Sequence, residues 1–215
     1  MKSLGFLALL VLSLIISPLH ADELDWQSGL HYHEISPVPP PAAASEPVQV
    51  LEFFWYGCPH CYQFEPHMKK WLGTKPEDVV FQQVPALFGG AADLHAQAFY
   101  ALDAMGELPR LHEPFFKAMH DQKLKLRSRS ELEAWLGQQG VDLEAFRATM
   151  DSFAVHAKVN RARALMRRYG VRSVPVVVID GRYRSGSGFQ GYEGILEVTD
   201  YLVDKARELR DNPGT

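Results

Sequence analysis

The stretch FFWYGCPHCYQFEP, from Phe53 to Pro66, holds Cys58 and Cys61, the only two cysteines of the chain. The run leading into it, VQVLEFFWY, is almost unbroken in apolar and aromatic residues, the pattern of a strand covered on both faces. The run that follows, CYQFEPHMKKWLG, has helical spacing, with Tyr62, Met68 and Trp71 as inward positions. Pro66 interrupts that spacing and is expected to kink the helix. The two cysteines therefore stand where a strand hands over to a helix.

Working outward, DVVFQQVPAL reads as a second strand. From about residue 90 to 170 the periodicity turns helical, with Ser130 and Asp142 as N-caps and Gly106, Gly140 and Gly170 as stops. Strand character returns in SVPVVVID and RYRSGS, which flank Asp180-Gly181, a hairpin turn signal. GYEGILEVTDYLVDKAREL closes the chain as an amphipathic helix. Upstream, HYHEIS has the look of a short edge strand, and PVPPPAAASEP suits a surface linker rather than a central strand. The order predicts one α/β domain, residues 48–89 with 170–211, interrupted by a helical insertion over 90–169 and preceded by a strand and linker over 22–47.

Composition excludes some classes. Hydrophobic residues make up 47% and charged residues 22%, ordinary for a globular protein, and the net charge of −4 with no basic run argues against nucleic acid as partner. Residues 1–21 carry Lys2, then LGFLALLVLSLII, then SPLHA ending on Ala21, the layout of a cleaved secretory signal peptide. The apolar core is about 13 residues, short of the roughly 20 that span a bilayer. Such a leader places the mature chain where disulfides persist.

Three roles compete for the cysteines. A disulfide closing so short a loop removes little unfolded-state entropy, roughly 2 kcal/mol, and a chain of this length can bury an adequate core without it. A zinc site needs two further ligands; there is no second CxxC, and His60 lies too close to both thiolates to chelate jointly with them. Haem attachment needs a histidine after the second cysteine, where this chain has Tyr62. A redox couple accounts for more. At a helix N-terminus the free N–H groups and the macrodipole stabilise a thiolate, so Cys58 is the candidate attacking sulfur and Cys61, a turn further in, the resolving one. Pro59 tolerates the first helical position, and His60 can offer hydrogen bonds or charge to the Cys58 thiolate. Stabilising the thiolate makes the disulfide a stronger oxidant, by about 30 mV for each pKa unit.

LEFFWYGCPHCYQFEP, VPALFGG, GVRSVPVVVIDGRY and the terminal helix, in this order, resemble the DsbA family of periplasmic thiol:disulfide oxidoreductases over nearly the whole mature chain. The resemblance implies a thioredoxin fold with an inserted helical domain. It implies a cis-proline loop at Val174-Pro175, whose backbone would pair with an extended substrate segment. Glu52 matches the family's buried acid, which implies a proton acceptor for Cys61 with a pKa raised by burial. Glu65 matches a second family acid, a tuner at most. The chain departs from the pattern where the best-known members carry a lysine near the buried glutamate: here stand Gln82 and Gln83. Glu52 is accordingly expected to ionise with more difficulty than in relatives that keep the lysine.

The function implied is donation of the Cys58–Cys61 disulfide to newly exported proteins with free cysteines, with no other cofactor and no metal. Reoxidation would fall to a DsbB-like membrane quinone reductase. A disulfide isomerase or reductase of the same fold is the alternative, but no dimerisation module is evident and a monomer is expected. A peptide-binding holdase or a metal-binding module is a further alternative. Trp55 and Phe88 are candidates for a groove that receives unfolded chains, or for plain core packing.

Overall fold

The computed structural model describes residues 26–186 and 191–212; the expected leader lies outside the described residues. The strand signals become β1 (His33–Glu34), β2 (Val48–Phe54), β3 (Val79–Pro85), β4 (Val176–Ile179) and β5 (Tyr183–Gly186). They form one sheet in the order β1-β5-β4-β2-β3, with β2 and β3 parallel and the other pairs antiparallel. Helix α1 (Pro59–Leu72) makes the crossover from β2 to β3. Between β3 and β4 lie five helices: α2 (Ala91–Ala104), α3 (Leu108–His120), α4 (Arg129–Gln138), α5 (Leu143–Met150) and α6 (Phe153–Arg168). Helix α7 (Gly191–Asp211) ends the chain.

β2 is the centre of the molecule, and its alternation divides the core in two. Val48 and Val50 join Val177 and Ile179 against Phe64, Met68 and Trp71 of α1 and Ile195, Val198 and Leu202 of α7. Leu51 and Phe53 join Val178 on the opposite face, against Phe99, Leu102, Phe115, Phe116, Phe146 and Val155 of the inserted helices. The insertion thus shares its core with the sheet. The Trp71 Nε1–H donates to Asp200 Oδ1 at 2.7 Å and ties α1 to α7.

Local chemistry accounts for most boundaries. Asp180 and Gly181 both take left-handed φ, 53° and 63°, and turn β4 into β5. Asp142 caps α5 through the N–H groups of Glu144 and Ala145. Gly106, Gly140 and Gly170 end their helices with positive φ. Two expectations are corrected, one at the start of α4 and one at Tyr62 of α1. The cap of α4 is Ser128 rather than Ser130, because Ser128 and Glu131 form a reciprocal capping box. Helix α1 continues as one element through Pro66 to Leu72, its apolar residues Phe64, Met68 and Trp71 holding it on the sheet. Tyr62, expected to face inward, is only partly buried, because its hydroxyl reaches out to the Asp121 carboxylate at 2.8 Å.

Candidate active site

β2 delivers the chain to Trp55, and the Cys58 N–H donates to the Trp55 carbonyl at 2.9 Å, closing a tight turn. Cys58 is the N-cap of α1, with extended backbone at φ −89°, ψ 116°, and Pro59 opens the helix. Cys58 is 8% exposed and Cys61 fully buried; both are free thiols. The Cys58 thiol is lowered from 9.0 to about 6. A hydrogen bond from the Cys61 thiol is the largest cause; burial opposes it, while the N–H groups of Cys61 and His60 and the charge of His60 assist. Cys61 is pushed far above the usual thiol range, first by burial and then by its Cys58 partner. Two chemically equal side chains three positions apart are thereby made unequal, one a ready thiolate and the other a held thiol.

The Val174-Pro175 peptide bond is cis and faces this pair, with Cys58 Sγ 3.5 Å from the Val174 carbonyl oxygen. β5 comes close behind: a Cβ on Gly186 would sit 3.0 Å from the Pro175 carbonyl oxygen, a tight approach that the glycine relieves. The sequence-nominated residues Cys58, Pro59, His60, Cys61, Val174 and Pro175 are therefore gathered at one end of the sheet.

Glu52 lies beneath them, fully buried on β2. Its carboxyl is raised from 4.5 to about 8, by burial first and by the neighbouring Glu65 charge second, with a hydrogen bond from Gln83 opposing. Gln83 is the register partner of Glu52 on β3, and its amide nitrogen donates to Glu52 Oε2 and to Glu65 Oε1, each at 3.1 Å. Gln82 points away, exposed. Glu52 Oε1 has no hydrogen-bond partner among the described residues. Where the resemblance leads one to look for a cation, a neutral amide joins two carboxylates.

Several contributors to the site went unnoticed in the sequence. Helix α3 supplies most of them. His112 Nδ1 lies 2.7 Å from the Tyr56 hydroxyl and its Nε2 3.0 Å from Glu65 Oε1. Phe115 stacks on Tyr56 with ring centroids 4.0 Å apart, and His120 Nε2 is 2.7 Å from the Tyr56 carbonyl oxygen. His112, Phe116 and His120 recur every fourth residue and so share one face of α3, a spacing that the sequence displays without saying what the face meets. From α2, buried His95 accepts the Trp55 indole N–H at 3.1 Å while its Nε2 donates to the Leu126 carbonyl at 2.8 Å. Trp55 is consequently half-buried, whereas Phe88 is 45% exposed. From α7, Tyr192 reaches His60. Among the described residues, no three His, Cys, Asp or Glu side chains converge as a metal-binding group.

Comparison with known proteins agrees with this geometry. The family model described as DSBA-like thioredoxin domain matches residues 49–198. The thiol:disulfide interchange protein DsbA of Azotobacter vinelandii is 42% identical over 187 residues, covering 86% of this chain and 87% of the relative. That of Pseudomonas aeruginosa is 38% identical over 208 residues, covering 96% and 98%. The crystal structure of Pseudomonas aeruginosa DsbA superimposes with a TM-score of 0.78 at 38% identity, covering 87% of this chain and 98% of that one. Likeness of this extent, in sequence and in backbone alike, makes the chain a member of the DsbA-like thioredoxin-domain family.

Proposed function

We infer that the chain is a protein dithiol oxidase that passes the Cys58–Cys61 disulfide to newly exported proteins. The observation that carries this is the asymmetry of the pair: Cys58 at about 6 on the helix N-terminus, Cys61 held as a thiol beneath it. A substrate thiolate attacks Cys58 Sγ, a mixed disulfide forms, and Cys61 leaves as a thiolate that takes up a proton. A second substrate thiol, deprotonated, attacks the substrate sulfur of the mixed disulfide, and Cys58 leaves. Two electrons pass from substrate to enzyme, the substrate departs as a disulfide, and the enzyme remains a dithiol. A low thiol pKa makes Cys58 a good leaving group in that last step.

Glu52 is the proton donor and acceptor for Cys61 in this scheme. A carboxyl poised at about 8 exchanges a proton with its surroundings near neutral pH, where one at 4.5 would stay ionised. The backbone of Val174-Pro175 would pair with the extended substrate around its reacting cysteine, taking hydrogen bonds that carry little sequence preference. No cofactor beyond the disulfide is required. Reoxidation is assigned to a quinone-linked membrane partner of the DsbB kind, and the site of action to the periplasm, reached by means of the leader over residues 1–21. The isomerase reading gains nothing from the structure that the oxidase reading lacks.

The test is a pair of substitutions assayed on a reduced, unfolded dithiol substrate. Cys58→Ser is expected to abolish oxidation, and Cys61→Ser, first loaded at Cys58 as its mixed disulfide with glutathione, to release glutathione to the attacking substrate thiolate and accumulate substrate joined to Cys58. Oxidation surviving in Cys58→Ser, or adducts found on position 61 instead, would sink the assignment.

A further inference from the structure

His60 sits between the two cysteines and is exposed, yet its ring is not free to turn. Its Nδ1 lies 3.1 Å from the Tyr192 phenol oxygen, and that phenol O–H donates to Gln63 Oε1 at 2.7 Å. A carbonyl oxygen can only accept, so the single phenol hydrogen is committed to Gln63. The phenol oxygen must then accept from His60, which places a hydrogen on Nδ1 and fixes which edge of the imidazole faces α7. Tyr192 is itself anchored: its ring packs against Phe64 at 5.9 Å and His67 at 5.6 Å between centroids. Burial, and then the nearby Cys58 and Cys61 charges, raise the pKa of the Tyr192 phenol. The group that holds His60 is therefore a neutral acceptor within electrostatic reach of both sulfurs.

We propose that Tyr192 is a positioning residue for the redox pair: by accepting the Nδ1–H of His60 it fixes the imidazole beside Cys58, and so sets how readily the Cys58 thiolate forms. The proposal rests on the oxidase reading for its purpose, though not for its test. The route is indirect. The Cys61 thiol is the main stabiliser of the Cys58 thiolate, the N–H groups of Cys61 and His60 follow, and the His60 charge adds to them. An imidazole released by α7 would swing toward water, where its charge is screened. Tyr192 also joins the first turn of α7 to the dipeptide between the cysteines, so the last element of the chain takes part in tuning a site built near its start.

Tyr192→Phe keeps the ring contacts and removes one hydroxyl. Titration of reduced protein by ultraviolet thiolate absorbance is expected to show Cys58 binding its proton about threefold more tightly, the worth of one exposed hydrogen bond. The equilibrium constant against glutathione should move by about the same factor toward a weaker oxidant. In a His60→Ala background the same substitution should change neither quantity, since the path runs through His60. An unshifted Cys58 titration in Tyr192→Phe overturns the proposal. So does an equal shift that persists without His60. Because the titration reads reduced protein alone, a failure of the oxidase reading would appear in the activity assay and leave this result standing.

Discussion

At Gly57 a Cβ would stand 2.3 Å from Cζ2 of the Trp55 indole. The indole cannot simply retreat, because its N–H is held by His95. Gly57→Ala is therefore expected to destabilise the protein by about 2 kcal/mol, a typical cost of overpacking, and to shift the tryptophan fluorescence as the ring leaves its seat. Urea unfolding and an emission spectrum check both. Glu52 gives a prediction in pH. Its folded pKa of about 8 exceeds the ordinary 4.5, so between those values the folded state holds a proton that the unfolded state has lost. Stability is fully retained below pH 4.5 and falls as pH rises toward 8. Glu52→Gln should flatten that slope in urea unfolding measured from pH 5 to 9, and a slope left intact would place the titration elsewhere.

Among the elements, α4 owes its start to the Ser128–Glu131 box. Ser128→Ala is expected to cost about 1 kcal/mol in urea unfolding while leaving the Cys58 titration unchanged. The capping box lay open in the letters SRSE, but two serines two positions apart offer the same chemistry, and only backbone geometry chooses between them. β2, α1 and β4 were legible for a stronger reason: each is buried on a face that its residue pattern spells out. Cys58, Cys61 and the Val174-Pro175 loop followed from those elements and from the family motifs. What stayed hidden depends on which helix face meets the redox loop. His112, His120 and His95 are ordinary helical histidines until packing brings α3 and α2 against Tyr56 and Trp55. Likewise QQ in β3 showed a missing lysine but not that Gln83 would join both carboxylates, since strand parity alone does not give reach.

For the whole molecule, the thiolate at Cys58 belongs to the reduced folded state alone. Its folded pKa of about 6 is below the ordinary 9.0, so this contribution is present above pH 9, partial at pH 7 and gone as pH falls through 6. It amounts to about 1 kcal/mol at pH 7 after allowance for solvent screening. The melting temperature of the reduced protein relative to the oxidised protein should therefore rise between pH 5 and pH 8. The comparison largely cancels the Glu52 slope, which both forms share. A difference that stayed flat with pH, followed by calorimetry, would contradict the Cys58 assignment. The sheet order carries one more consequence. β4 joins β2 only after the whole helical insertion, and the Val174 carbonyl that meets Cys58 lies 116 positions after it. A chain made from its N-terminus thus displays both sulfurs long before the loop that will cover them exists. Until then it is an unfinished polypeptide with two bare thiols, and a completed copy nearby would meet it as one more client.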